Sequence, residues 1–352
     1  MPQLTICAAD VKANITRFLD GVKVPVIGVV KGNGYGLGLL PLARMLIDCG
    51  VSMLGVDDLG EAASLRQNGF DQPLLLFKPL CQTEDAQEAL ALGVQPFVGN
   101  LHTLALLEQA AAQADTTAQA HLFLDTGFGG YGFDAQNMQG WMQNLQSPYV
   151  TFVGTATHFA ASFGAEQGVR NQHQRFRGAV TLLQAQGFST GMLHVCNSHA
   201  AVRFADLHED AVRVGSVFAG RLGHGYSPVG RLQSRILAVH TLEKGRRIGY
   251  GGVAVMPRDG LLGIADIGYA QGLAAQKRPD ALRPVDRLRT IKASWQQKPL
   301  SGQLAHGKAT VLGRVNMNHT ALLCPPGTQP EDEIVFDCNP LFVPQSVERV
   351  WH

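Results

Sequence analysis

Apolar runs and amphipathic segments alternate along the first two thirds of the chain. The runs are rich in Val, Ile, Leu and Phe, as strands buried on both faces of a parallel sheet are. We predict eight strands, at residues 24–31, 52–56, 73–77, 94–98, 118–125, 150–159, 191–197 and 211–220. Segments with apolar residues at helical spacing separate most of them. Eight strands with intervening helices over about 200 residues match a (β/α)8 barrel, although an open doubly wound sheet has the same alternation.

The pattern changes after about residue 230. Short apolar runs follow between Gly, Pro and Asn residues, at 239–242, 251–256, 260–269, 308–315 and 320–323. The polar, irregular segment 273–303 predicts a long loop. We therefore predict an α/β fold, with an N-terminal (β/α)8 TIM-type barrel over residues 1–230 and a C-terminal all-β domain over residues 231–352.

Composition narrows the class of protein. Of 352 residues, 45% are hydrophobic and 16% charged, which excludes a disordered chain. The net charge is +1 without a basic run, so neither a nucleic-acid nor a membrane-surface partner is expected. No apolar stretch approaches the roughly 20 residues of a membrane-spanning helix, and the N-terminus lacks the pattern of a signal peptide. Six cysteines without C-x-x-C spacing suggest reduced thiols, and hence a cytoplasmic protein.

Candidate chemistry lies at the ends of the predicted strands, where barrel enzymes place their active sites. The first strand ends in Val30-Lys31. Burial lowers the pKa of an amine, and a neutral amine can form a Schiff base with an aldehyde cofactor. The alternative is a lysine that extends from the barrel edge into solvent.

Later strand ends contribute further polar residues. His158 ends the sixth strand, Ser198 follows the seventh, and Arg213 lies in the eighth. Each could simply make a structural hydrogen bond. Together they predict a site for a phosphorylated ring compound, with phosphate at Ser198 and at the amides of Gly215 and Ser216. The chain has no H-x-x-x-H motif with a nearby carboxylate, so no metal is expected. It has no Walker motif for a nucleotide and no G-x-S-x-G motif for acyl transfer.

The motifs follow one another in a known order. Val30-Lys31-Gly32-Asn33-Gly34-Tyr35-Gly36 is similar to a cofactor-lysine signature, with glycines where alanines are usual. The further matches are Leu124–Gly127, Thr157–Ala160, Asn197-Ser198, Val212–Gly215, Gly249–Gly252, Ile267–Ala270, and Gly313-Arg314 with Met317. In this set the chain resembles the alanine racemase family, the fold-type III pyridoxal-phosphate enzymes, over nearly its whole length.

The resemblance implies a pair of catalytic residues. Lys31 would hold pyridoxal 5'-phosphate covalently, and its freed amine would act as a base on one face of the substrate Cα. Tyr250 would be the acid/base on the opposite face, and two bases on opposite faces invert a stereocentre. In the family this tyrosine comes from the partner subunit, which implies a head-to-tail homodimer.

It also implies binding residues. Arg213 would bond the pyridine nitrogen of the cofactor, and His158 would contact its ring. Tyr269 and the Met317 backbone would line the entry and carboxylate site of an amino-acid substrate. The remaining cofactor contacts would be Tyr35, Asn197, Ser198, Gly215 and Ser216.

Two departures from the family pattern concern the substrate. Gly130 stands where the family commonly has a carboxylate-binding Arg, and Phe123 where it has the Lys that orients that Arg. We expect the neighbouring Phe128 and Tyr131 to be packing residues. The sequence favours an amino-acid racemase with alanine as the default substrate. An enzyme with another amino-acid substrate or reaction, such as an epimerase or decarboxylase, and a non-catalytic cofactor-binding protein stay open.

Overall fold

The chain forms two compact units, and each is described by itself. The computed structural model describes residues 1–160, 162–276 and 299–352, together with Val285 and Leu288. One unit comprises Asp10–Pro228, and the other comprises Met1–Ala9 with Val229–His352. Among the residues so described, no helix is long and apolar enough to cross a membrane. Most of the predicted loop 273–303 lies outside the described residues.

The first strand, β1 (Gln3–Ile6), belongs to the C-terminal unit. It pairs antiparallel with residues 230–233 and parallel with residues 348–351. Its alternation is short, with only Leu4 and Ile6 buried. The predicted barrel range of 1–230 is therefore corrected at its beginning, because these backbone pairings join the first nine residues to the other unit.

The N-terminal unit is a closed parallel barrel. Its sheet order is β10-β2-β3-β4-β5-β6-β8-β9, and a bridge between His194 and Ala211 connects the end of β9 to the residue before β10. The short β7 pairs with β6 outside this ring. The strands are β2 (Val26–Val29), β3 (Met53–Val56), β4 (Leu74–Leu76), β5 (Val94–Val98), β6 (Ala118–Asp125), β7 (Phe133–Asp134), β8 (Val150–Ala156), β9 (Met192–His194) and β10 (Val212–Val214). The eight-stranded barrel is confirmed, with six of the eight strands shorter than predicted.

Helices connect the barrel strands. They are α1 (Ala8–Asp20), α2 (Lys31–Tyr35), α3 (Leu39–Asp48), α4 (Leu59–Gln67), α5 (Thr83–Ala91), α6 (Leu101–Gln113), α7 (Glu166–Ala185) and α8 (Ser198–Arg203). Asp58, Asn100 and Asn197 cap three of them, because their side-chain oxygens accept backbone N–H groups of the first turn. These caps fix where each helix starts, directly after a strand end.

The C-terminal unit is a mainly antiparallel sheet that closes on itself. Its order is β14-β17-β16-β15-β18-β11-β1-β19, and β14 also pairs with β11. The strands are β11 (Gly230–Leu242), β12 (Arg247–Ile248), β13 (Ala254–Val255), β14 (Gly260–Ala265), β15 (Ser301–Leu304), β16 (Gly307–Val311), β17 (Thr320–Cys324), β18 (Glu333–Asp337) and β19 (Glu348–Trp351). The predicted all-β fold is confirmed.

One predicted strand of this unit, 251–256, was wrong in its first half. Residues 250–252 form a 3-10 turn, in which Gly251 and Gly252 have φ values of 72° and 56°. Such left-handed backbone is incompatible with an extended strand. The strand therefore begins only at Ala254.

Candidate active site

Lys31 begins a turn of unusual backbone conformation at the end of β2. Gly32, Asn33, Gly34 and Tyr35 all have positive φ, between 54° and 64°. Glycine adopts this region without steric cost, and asparagine tolerates it. The resulting left-handed turn reverses the chain immediately after the strand and leaves Lys31 at the carboxyl end of the barrel.

A carboxylate clamp holds this turn. The Glu61 side chain accepts hydrogen bonds from the Asn33 N–H at 3.0 Å and from the Asp57 N–H at 2.9 Å. The Asn33 side chain in turn accepts the Leu39 N–H at 2.9 Å. Burial is the largest cause of the raised pKa of Glu61, and these backbone N–H groups oppose it. Glu61 thereby fixes the ends of β2 and β3 relative to each other.

Lys31 is paired with a residue that the sequence analysis did not select. Its Nζ donates a hydrogen bond to Asp57 Oδ1 at 3.0 Å and lies 5.1 Å from the centre of the Phe77 ring. Asp57 directly follows β3, within the same ring of strand ends that drew attention to Lys31. That position was the signal that could have identified it.

Tyr35, Ser198 and Gly215 lie together. The Gly215 N–H donates to Ser198 Oγ at 3.1 Å, and a Cβ built at position 215 would collide with the Tyr35 ring. Burial raises the pKa of the Tyr35 phenol to about 12, with a smaller contribution from Asp57. The phenol therefore keeps its proton at neutral pH. The three residues form a cradle of hydroxyl and amide groups in which only glycine fits at position 215.

Asn197 has a structural part in this neighbourhood. Its Oδ1 caps α8 by accepting the Ala200 N–H at 3.1 Å. Its Nδ2 donates to Ser162 Oγ at 3.0 Å and to the Phe159 carbonyl at 3.4 Å. Asn197 thus connects the loop after β8 to the helix that carries Ser198, and its predicted cofactor contact stays a prediction.

Arg213 lies inside the barrel, only 4% exposed. Its guanidinium donates to the carbonyl oxygens of His194 and Thr157 and to His194 Nδ1, the last at 2.9 Å. His194 Nε2 is 2.8 Å from His121 Nδ1, and His121 Nε2 is 3.0 Å from Gln95 Oε1. Because an arginine can only donate hydrogen bonds, His194 accepts from Arg213 at Nδ1 and donates from Nε2 to His121. His121 donates in the same way from Nε2 to Gln95. In this row of side chains, each imidazole therefore carries its proton on Nε2.

Both imidazoles of this row are neutral at ordinary pH. Burial, followed by the charge of Arg213, lowers the pKa of His121 to about 3 and that of His194 well below its usual value. Burial also lowers the pKa of Arg213, to about 10, which still leaves it charged at neutral pH. The sequence pattern pointed to Arg213 but not to His121 or His194. A histidine within an otherwise apolar strand was the available signal.

His158 lies close enough to Arg213 and Lys31 for their charges to act on its ring. Burial, then Arg213 and Lys31, lower its pKa to about 4, so the ring is neutral. Phe128 packs edge-on against it, with 5.3 Å between ring centres, while half of the Phe128 side chain stays exposed. Phe128, which we expected to be a packing residue, packs against His158 on one side and is exposed on the other.

An aromatic cluster fills the part of the barrel where the two departures lie. The Phe123 ring is 4.5 Å from that of Phe97 and stacks on that of Tyr131 at 5.9 Å. The Tyr131 hydroxyl accepts the Gly99 N–H at 2.7 Å and donates to the Phe97 carbonyl at 3.0 Å. The expected packing role of Tyr131 agrees with these contacts. At Gly130 a Cβ would meet the Phe128 ring at 3.3 Å and no other described residue within 4 Å.

Three predicted residues, Tyr250, Tyr269 and Met317, lie in the C-terminal unit. Tyr250 is 78% exposed, and Tyr269 and Met317 are also exposed. The Tyr269 N–H donates to the Asn316 carbonyl at 2.9 Å, and a Cβ at Gly268 would collide with the same loop. Tyr269 and Met317 are thus on adjoining loops, and Tyr250 is on the 3-10 turn after β12.

Within the described part of the chain, no group of three or more His, Cys, Asp or Glu residues could hold a metal ion. The barrel unit instead offers an amine, a buried guanidinium, and a cradle of hydroxyl and amide groups. This donor set suits a phosphorylated aldehyde with a ring nitrogen.

Comparison with known proteins identifies the family to which the chain belongs. The family model described as "Alanine racemase, N-terminal domain" matches residues 6–222, and that described as "Alanine racemase, C-terminal domain" matches residues 229–340. The chain belongs to the alanine racemase family. Alanine racemase from Syntrophobacter fumaroxidans is 29% identical over 336 residues, covering 92% of this chain and 83% of that protein. Alanine racemase 1 from Oceanobacillus iheyensis is 29% identical over 275 residues, covering 74% and 72%.

Solved structures show the same fold. Alanine racemase from D-cycloserine-producing Streptomyces lavendulae superposes with a TM-score of 0.86 at 22% identity, covering all of this chain and 97% of the other. Alanine racemase from Streptomyces coelicolor A3(2) superposes with a TM-score of 0.85 at 22% identity, covering 99% and 97%. The lysine signature of this chain therefore lies on the same fold as in these alanine racemases.

Proposed function

We propose that this member of the alanine racemase family is a pyridoxal-phosphate-dependent amino-acid racemase, with alanine as the default substrate. The observation that carries the proposal is the placement of Lys31 in one barrel rim with Arg213 and the Tyr35–Ser198–Gly215 cradle. The names of the relatives add support, since those described above are alanine racemases. The cytoplasm stays the predicted location.

The cradle has the donors that a phosphate group needs. The Ser198 hydroxyl, the Tyr35 phenol and the amides of Gly215 and Ser216 would hold it, and the missing side chain at Gly215 lets the Tyr35 ring lie against this backbone. Arg213 would donate to the pyridine nitrogen. Because a guanidinium does not give up its proton at ordinary pH, that nitrogen would stay unprotonated. The neutral His158 ring would lie against the cofactor ring.

Racemisation needs a proton removed from one face of Cα and another delivered to the opposite face. Bound pyridoxal phosphate supplies the electron sink that makes the Cα proton acidic. The Lys31 amine would accept or return the proton on one face. The Tyr250 phenol, supplied by the partner subunit of a head-to-tail homodimer, would do so on the other. Tyr269 and the Met317 backbone would bound the entry and hold the substrate carboxylate.

A second candidate is an enzyme for an amino acid larger than alanine. The observation that favours it is the aromatic cluster at Phe123 and Tyr131, together with the open position at Gly130. These residues replace a charged pair of the family pattern by apolar surface, which would contact an apolar side chain. The same two proton-transfer residues would then act on a different substrate.

Lys31→Ala tests the proposed function. We expect the variant to lose covalent cofactor attachment, seen by absorbance and by mass after borohydride reduction. Racemisation should fall by at least about 10³-fold, within the range for loss of a general base. Lys78→Ala is a matched control, because Lys78 is an exposed lysine just after β4. Equal cofactor attachment in wild type and Lys31→Ala would contradict the proposal.

A further inference from the structure

Asp57 is the one acidic residue that the structure shows in direct contact with the proposed catalytic lysine, among the residues that are described. The Lys31 Nζ to Asp57 Oδ1 distance is 3.0 Å, and both side chains are about half exposed. We propose that Asp57 is a positioning residue for Lys31. Its carboxylate aims the amine and stabilises the ammonium form that arises when Lys31 takes a proton. This inference rests on the proposed function.

Backbone hydrogen bonds hold Asp57 in place opposite Lys31. The Asp57 N–H is held by Glu61, and its carbonyl accepts the Lys78 N–H at 3.0 Å. Glu61 holds the Asn33 N–H as well, so one carboxylate fixes both the turn that carries Lys31 and the residue that faces it. The Asp57 carboxylate is therefore presented to Lys31 from a rigid strand end rather than from a free surface loop.

Among the groups around Lys31, Asp57 supplies the negative charge that contacts its amine. His158 and the more deeply buried Arg213 approach from β8 and β10, where His158 is neutral and Arg213 is positive. Tyr35 faces Asp57 from the turn and keeps its proton. Glu61 is occupied by two backbone N–H groups. A second positive charge on Lys31 would thus arise near Arg213, and the Asp57 carboxylate is the group in contact that offsets it.

The proton balance is simple. When the neutral Lys31 amine accepts the Cα proton, it becomes an ammonium, and the electron pair of the broken C–H bond stays with the substrate and cofactor. A carboxylate at hydrogen-bond distance stabilises the ammonium relative to the amine. In the reverse direction the same ammonium returns its proton to Cα. Asp57 itself neither gains nor loses a proton.

Asp57→Asn tests the inference, because it keeps the shape of the side chain and removes its charge. The first readout is the visible absorption of the cofactor-loaded protein as a function of pH. Its wavelength reports whether the nitrogen linking Lys31 to the cofactor carries a proton. We expect the spectral midpoint to move to lower pH by about one unit, the lower end of the range for loss of a contacting opposite charge.

Two further variants separate charge from structure. Asp57→Glu retains a carboxylate and should restore most of the wild-type midpoint and activity. Asp58→Asn is the matched control, since it changes the charge of the next residue while Asn can still cap α4 through the Glu61 N–H. We expect Asp58→Asn to leave the midpoint within about 0.2 units, because its carboxylate is not in contact with Lys31.

The second readout is the isotope effect with substrate deuterated at Cα. Lys31 takes the proton from only one enantiomer, so Asp57→Asn should lower kcat about tenfold. It should also raise the isotope effect for that enantiomer and not for the other. An unchanged midpoint with equal isotope effects for both enantiomers would overturn the inference. Wild-type protein that takes up no cofactor would instead contradict the proposed function.

Discussion

The two halves of the barrel rim differ in what fills them. The polar half, at the ends of β8, β9, β10, β2 and β3, carries Lys31, Asp57, His158, Ser198 and Arg213. The aromatic half, at β4, β5 and β6, carries Phe77, Phe97, Phe123 and Tyr131. The polar half preserves the family's motifs, whereas the aromatic half replaces two of its charged positions.

This difference separates two tasks. In the polar half, charged and hydrogen-bonding groups are held by other polar groups, as a cofactor site requires. In the aromatic half, ring packing and the two hydrogen bonds of Tyr131 hold the structure without a charge. Under the proposed function, cofactor chemistry and substrate selection would lie on different strands, and we expect a change at Tyr131 to leave the cofactor site intact.

Tyr250→Phe should have the largest effect, because it removes one of the two proton-transfer residues and leaves the polar half of the barrel to act alone. We expect racemisation to fall by about 10²–10⁴-fold through loss of one acid/base. Exchange of the Cα proton at Lys31 should persist for one enantiomer. The measurement is deuterium incorporation by NMR beside chiral chromatography. Unchanged racemisation of every amino acid would contradict the two-base account.

Mixed dimers test where Tyr250 comes from. Lys31→Ala and Tyr250→Phe chains, unfolded and refolded together, should regain about a quarter of wild-type activity, because a head-to-tail heterodimer has one intact site of two. Each variant refolded alone provides the control. No recovery from a mixture that contains heterodimers would show that both residues act within one chain.

Acid should weaken the barrel through the buried imidazoles. His121, His158 and His194 are neutral when folded, with lowered pKa values. Below pH 6.5 the unfolded chain binds protons that the folded chain does not. The free energy of unfolding should therefore fall by up to about 1.4 kcal/mol per pH unit for each such histidine. We expect this between pH 6.5 and pH 5, by urea unfolding.

His121→Gln isolates one of these contributions. A glutamine can still accept a hydrogen bond from His194 and donate one to Gln95, so the row is preserved. We expect the pH slope of stability to become shallower by up to about 1.4 kcal/mol per pH unit, one histidine's share. An identical slope in wild type and variant would show that His121 is protonated in the folded chain.

Tyr131→Phe probes the aromatic half. The Gly99 N–H and the Phe97 carbonyl would lose their partner, which costs about 1–3 kcal/mol of stability. The visible spectrum of the bound cofactor should stay unchanged. Tyr149→Phe, at a more exposed position, is the control for the hydroxyl itself. A spectral shift in Tyr131→Phe alone would show that the two halves are coupled.

Gly130→Arg should have the smallest effect. It restores a cation where the family pattern has one, and among the described residues its Cβ would meet the Phe128 ring alone. An exposed ion pair contributes up to about 1 kcal/mol, so KM for the amino acid should fall by up to about fivefold. Gly130→Gln supplies similar length without charge. Equal KM values for both variants would exclude a carboxylate contact at this position.

The sequence predicted the two parts of the molecule to different extents. All eight barrel strands were found, because buried parallel strands are continuous apolar runs. In the C-terminal unit β1, β15, β18 and β19 were missed. Strands of only four or five residues give a weak signal, and β19 has no fully buried residue at all. The motifs located Lys31, Ser198 and Arg213. They did not locate Asp57, whose contact with Lys31 depends on two neighbouring strand ends meeting in space.

We propose that Lys31 and Tyr250 invert an amino acid without an arginine at position 130. In the most direct test, cofactor-loaded protein is incubated with each L-amino acid in D₂O, and the products are analysed by NMR and chiral chromatography. We expect deuterium at Cα with both enantiomers accumulating for at least one amino acid. Protein that binds the cofactor yet exchanges no Cα proton of any amino acid would contradict it, and would make a non-catalytic cofactor-binding protein the better description.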